Sequence, residues 1–86
     1  MLKISEPIAN HAVTLKLEGR LVGPWVAELK KTCEQHLEAN RVINLDFADV
    51  TFADRTGLAL LLRLRAQGVK LVNCSPFIEE ELRAAS

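Results

Sequence analysis

Asp46, Asp49, Asp54 and Thr56 are the residues of this 86-residue chain whose types and spacing could do chemistry. Three carboxylates at the end of an apolar segment suit a hard cation such as magnesium, the arrangement of a phosphoacceptor receiver pocket. A receiver needs five βα repeats, more than this length holds, and the chain has no lysine clearly placed for such a pocket. The aspartates are therefore read as turn and capping residues. Thr56 is different, because a hydroxyl in the first turn of a helix is either an ordinary helix-start residue or a site for phosphate. Phosphorylation there would add about −1.5 to −2 charges, favourable at a helix start and repulsive toward a partner docked on the neutral surface. His11 and His36 stand apart from any serine, cysteine or carboxylate at catalytic spacing and are read as surface residues. Cys33 and Cys74 lack a CxxC or Cys/His pattern, which suits reduced packing thiols better than a disulfide or metal site. These patterns predict a protein that is not an enzyme and holds no metal or cofactor.

A strand must carry these residues to a sheet end, and a helix must start there. Val42, Ile43, Leu45 and Phe47 form a β-rich run suited to a strand covered on both faces, with Asp46, Asp49 and Asp54 punctuating its end. Asp54 is placed to N-cap the next helix, Arg55 and Thr56 fall in its first turn, and Gly57 permits close approach of another backbone. The helix that follows carries Leu58, Leu60, Leu61, Leu62 and Leu64, leaving mainly Ala59, Arg63 and Gln67 to face outward.

Upstream, Leu2 to Ile4 and Ile8 predict a short strand interrupted at Pro7, joined by a turn at residues 9–11 to a half-buried strand whose Val13, Leu15 and Leu17 alternate with polar residues. Gly19 and Arg20 are predicted to end that strand. Gly23-Pro24 opens a helix with Val22, Val26, Leu29, Cys33 and Leu37 as its buried stripe and Trp25 as its anchor to the sheet. Asn40 and Gly68 stop the two long helices. Val69 to Val72 is a last strand, and Ser75-Pro76 caps and opens a final helix with Ile78 and Leu82 on one side and Glu79, Glu80 and Glu81 near its start. The expectation is one α/β domain over residues 1–86, order β-β-α-β-α-β-α. Its mixed sheet would have four or five strands, with helices near 23–39, 55–67 and 76–84.

Lysine and arginine total 11, aspartate and glutamate total 11, and the pI is about 6.7, so no basic field draws the chain to nucleic acid or an anionic membrane. The longest apolar run, Leu58 to Leu62, is far short of the ~20 residues a spanning helix needs, and a cytoplasmic protein without membrane insertion is expected.

The LDF that precedes the turn, V-T-F-A-D-R-T-G, and G-L-A-L-L-L together resemble the signature of the STAS domain, the fold of bacterial anti-sigma factor antagonists. The likeness extends from about Val13 to Leu82 and includes L-E-G-R-L, but only Leu45 to Leu62 is specific. In those antagonists the turn reads Asp-Ser-Ser-Gly, and the serine next to the glycine is phosphorylated by a partner kinase. Here Thr56 stands at that position and Arg55 replaces the preceding serine. The resemblance implies a non-catalytic signal-transduction domain regulating transcription by partner switching. Asp54, Arg55, Thr56, Gly57 and Leu58 would bind an anti-sigma factor with serine/threonine kinase activity, and Thr56 would be the phosphoacceptor. G-L-A-L-L-L also resembles small STAS subunits of phospholipid-transport ABC complexes, which would make the partner a transporter ATPase subunit.

Overall fold

The computed structural model describes residues 2–5, 8–9 and 11–85. Its elements are β1 (Leu2–Ser5), β2 (Ile8–Ala9), β3 (Ala12–Leu21), α1 (Pro24–Glu38), β4 (Val42–Ala53), α2 (Arg55–Ala66), β5 (Lys70–Val72) and α3 (Pro76–Ala85). Strands β3, β4 and β5 are parallel and form the centre of a mixed sheet. Both β1 and β2 run antiparallel along the remaining edge of β3, against residues 16–19 and 12–13. The interruption expected at Pro7 lies outside the described residues. All three expected helices are present to within a residue or two of their anticipated ends. Asn40 (φ 58°) and Gly68 (φ 94°) take the left-handed conformation that follows α1 and α2.

The sheet buries one face, and this corrects the expectation that the Val42–Phe47 strand is covered on both sides. Ile43, Leu45 and Phe47 are buried, while Val42 and Asp49 are exposed and Asn44 and Asp46 half-buried. Nor does β4 end after Phe47, for it continues to Ala53, leaving Asp46 and Asp49 inside the strand. Two register shifts account for the discrepancy. Lys16 pairs with Asp46 but Glu18 with Asp49, and Gly19 pairs with Val50 but Arg20 with Phe52, so each shift inserts one extra residue into β4. These are bulges, which bend a strand and increase its twist. Burial in β3 keeps a period of two (Val13, Leu15, Leu17, then Leu21), whereas in β4 it jumps in threes, Phe47 to Val50 to Ala53. The loss of alternation is what makes the strand look finished in the sequence.

Each bulge has its own polar partner. Asp46 Oδ1 accepts from the amide of Ala48, left out of register by the first shift, at 3.0 Å, and from Asn73 Nδ2 at 3.1 Å. Those two bonds, the Ala48 amide first, hold the Asp46 carboxyl below the usual carboxylate range. Thr51, the extra residue of the second bulge, donates its hydroxyl to the Gly19 carbonyl at 3.3 Å. Gly19, at φ 114°, lets β3 pass through the place where its end was expected and continue to Leu21.

Helix α1 buries Leu29, Cys33 and His36, with Val26 and Leu37 half-buried beside them. His36 was expected at the surface, but it falls on the same stripe as Leu29 and Cys33, one turn on. Arg41 Nη1 donates to its Nδ1 at 2.9 Å, since a guanidinium can only donate. Burial pushes the Cys33 thiol up to about 12, with Glu34 adding to the shift, and burial also raises Cys74. Neither is therefore a ready thiolate. Trp25 is half-buried and packs against the core, as an anchor should. Ser75 Oγ accepts from the Ile78 amide at 3.2 Å, capping α3, whose Ile78 and Leu82 are buried.

Leu61 is fully buried at the centre of α2, among Leu58, Leu60 and Leu64. Leu61→Ala should lower the unfolding free energy by about 2–5 kcal/mol, the cost of lost burial plus a residual cavity, whereas Ala59→Ser on the exposed side should stay within ~0.5 kcal/mol. Urea denaturation of the variants checks both values.

Candidate functional site

Because the bulges set Ala53 opposite Leu21, the residue after β4 emerges beside the end of β3 and the start of α1. That residue is Asp54, whose backbone amide donates to the Leu21 carbonyl at 3.1 Å. Its side chain caps α2 in extended conformation, Oδ1 accepting from the Gly57 amide at 2.7 Å and from the Thr56 hydroxyl at 2.8 Å. The other oxygen, Oδ2, accepts from the Gly23 amide at 3.1 Å, across 31 positions of sequence. One carboxylate thus joins the first residues of two helices.

Gly57 is the point of closest approach. A Cβ there would lie 2.8 Å from the Leu21 carbonyl oxygen and 3.1 Å from Leu21 Cγ. The first of these is backbone, which cannot swing aside, so a side chain at this position would push α2 away from β3. The residues singled out in the sequence are therefore brought together and divided by role. Asp54 and Gly57 hold the turn, buried Leu58 roots it in the core, and exposed Arg55 and Thr56 are presented to solvent. Asp46 and Asp49 do not join them. Asp46 serves its bulge, and Asp49 lies 3.9 Å from Lys16 on the open sheet face. Among the described residues, no three His, Cys, Asp or Glu side chains are grouped to hold a metal ion.

Two shallow grooves flank the exposed ridge of α2 and share Ala59. The larger, about 590 Å³, lies toward α3 and is lined by Phe52, Leu58, Leu62 and Ala84, with Asp54 and Arg55 at one end. The smaller, about 370 Å³, lies toward α1 and has Gly23 and Thr56 among its walls. Phe52 is partly exposed under the Arg20 guanidinium, which sits 5.5 Å from its ring centre. Sequence reasoning missed the Gly23–Asp54 bond and both grooves. Gly23-Pro24 marks a helix start, but no local pattern reveals which distant carboxylate its amide meets.

The Gly57 amide first, then the Gly23 amide and the Thr56 hydroxyl, hold the Asp54 carboxyl below the usual carboxylate range. A depressed folded-state value means that this contribution to stability is complete above the unfolded-state value of about 3.9 and is lost as pH falls through the lower folded value. In an NMR titration the Asp54 carboxyl carbon should therefore show a midpoint below about 3.9, with the Gly23 and Gly57 amide shifts following it. A midpoint at or above that value would contradict the arrangement.

Comparison with known proteins places the fold and the family. The anti-sigma factor antagonist SpoIIAA in its unphosphorylated form matches with a TM-score of 0.75 at 21% identity, over 94% of this chain and 82% of that one. The Bacillus cell fate determinant SpoIIAA in its phosphorylated form matches at 0.74 and 19%, over 98% and 84%. An uncharacterised protein with a SpoIIAA-like fold from Shewanella loihica matches at 0.62 and 15%, over 98% and 75%. At these identities the likeness is one of fold. No curated protein matches the sequence. The family model described as Mlab, STAS domain, matches residues 4–86, nearly the whole chain, and the chain belongs to the STAS domain family.

Proposed function

We propose that this domain is a non-catalytic docking module, cytoplasmic in location, whose partner reads the turn from Asp54 to Leu58 and the exposed ridge of α2. The observation that carries this reading is the Asp54 clamp. A turn fixed by bonds to Gly57, Thr56 and Gly23 presents Arg55 and Thr56 in one geometry, which lowers the ordering cost of binding. Both thiols have raised pKa values, and the three aspartates are engaged in bulge, surface and cap, so the residues with chemical potential already have structural work.

The partner class suggested by the fold is an anti-sigma factor with serine/threonine kinase activity, held by the unmodified domain so that a sigma factor is released. Thr56 is then the phosphoacceptor and switch. It is exposed, and phosphate there would sit at a helix start but beside the like charge of Asp54, 2.8 Å from the hydroxyl it modifies.

A second reading is favoured by that same bond. With its hydroxyl donated to Asp54, and with Arg55 beside it, Thr56 also suits a permanently docked surface, as in a small STAS subunit bound to the ATPase of a phospholipid-transport ABC complex. In that case the turn is read but never modified.

Thr56→Asp should preserve the fold, because a negative charge in the first turn of α2 is locally favourable, yet weaken partner binding by roughly 30-fold or more through an unpaired charge in the interface. Thr56→Ala should still bind. Calorimetry with the partner recovered from the source cell measures both, and intact-mass analysis of the native protein separates the two readings by the presence or absence of one phosphate. Parent-like affinity for Thr56→Asp would remove Thr56 from the interface.

A further inference from the structure

We infer that the groove between α1 and α2 receives an acidic amphipathic helix of the partner protein, with an apolar side chain on Val26 and Leu60 and carboxylates meeting Lys30 and Arg63. This deepens the docking reading above and rests on it. The groove is lined by Val26, Ala27, Ala59 and Leu60, with Thr56 also in its wall. Ala27 and Ala59 are exposed, and their methyl side chains leave room for a third helix to pack close to both.

Its charge separates this groove from the others. Lys30 and Arg63 are the charged residues that line it, and no carboxylate does. The Phe52 groove mixes Asp54, Arg55 and Glu81, and the groove beside β5 mixes Arg65, Lys70 and Glu79. In a chain with 11 cations and 11 acids this one-signed lining is a local property, and the carboxylate behind the turn end of the groove, Asp54, is already shared among the Gly23, Thr56 and Gly57 donors. Lys30 and Arg63 are exposed, and among the described residues neither forms an ion pair. Glu34, one helical turn beyond Lys30, does not line the groove.

Position adds a second constraint. Helices α1 and α2 both start at the Asp54 turn, and Lys30 lies seven residues after the α1 cap Gly23 while Arg63 lies nine after the α2 cap Asp54. That is roughly 10 and 13 Å of rise, so both cations lie some two turns or slightly more from the turn. A partner helix that contacts Thr56 at one end then carries its carboxylates two to three turns away, toward Lys30 and Arg63. Two cations on a neutral chain make too weak a field to hold a nucleic acid or a membrane, and the apolar residues between them suit a protein side chain.

The test uses the full chain in its source cell, with a photo-crosslinking benzophenone residue at Ala27 and, as control, at the exposed Val42 on the open sheet face. Crosslinking from Ala27 but not Val42 should recover a helical segment in which an apolar residue is flanked by Asp or Glu. The double variant Lys30→Glu, Arg63→Glu should melt like the parent yet bind that partner about 10-fold or more weaker, and reversing the partner's acidic residues should restore binding. A crosslinked segment without acids, a crosslink to a second copy of this chain, equal binding by the double variant, or parent-dependent capture by phosphatidylserine vesicles would each overturn the inference. If Thr56→Asp abolishes binding while the double variant does not, the docking turn stands and the groove falls. The reverse result removes the turn and keeps the groove.

Discussion

Three donors on one carboxylate hold this molecule's functional end together. Asp54 takes the Gly57 amide in the first turn of α2, the hydroxyl of Thr56 and the amide of Gly23, while its own amide bonds the last carbonyl of β3. A charged acceptor strengthens each of these bonds relative to a neutral one. The starts of two helices and the ends of two strands are thereby fixed relative to one another. Thr56 and Arg55 inherit that rigidity, although neither is buried.

The clamp depends in turn on the bulges of β4. Ten residues of β3 run beside twelve of β4, and the two extra positions are what bring Ala53 level with Leu21. In a straight ladder, Thr51 would lie level with Leu21 and Asp54 would leave the sheet two residues further along, beyond Gly23. Asp46 and Thr51 stabilise the irregular strand, so residues that resemble an acidic pocket in the sequence serve to place a different aspartate. The polar outer face of the sheet follows from the same pattern, since α1 and α2 cover only the side that carries the buried residues.

Much of this is legible from the chain alone. The alternation of Val13, Leu15 and Leu17 reveals β3, the leucines of α2 reveal a packed helix, and D-x-x-G ahead of them reveals a capped start with a close backbone contact. Asn40 and Gly68 mark helix ends by local conformation. The length of β4 is hidden because bulges break the period on which strand recognition rests. His36 is hidden because a polar residue at a stripe position gives no local sign of the arginine that satisfies it. The Gly23–Asp54 bond and the two grooves are tertiary, created only when distant segments meet, and local residue pattern gives no spacing from which to read them.

Amide hydrogen exchange by NMR on Asp54→Ala tests the clamp most directly. Loss of the carboxylate should make the Gly23 and Gly57 amides exchange roughly 10-fold faster or more, while Leu61 and Leu64 in the body of α2 keep their protection relative to one another. If Gly23 and Gly57 remain as protected as in the parent, the carboxylate does not hold the two helix starts together and the turn owes its shape to something else.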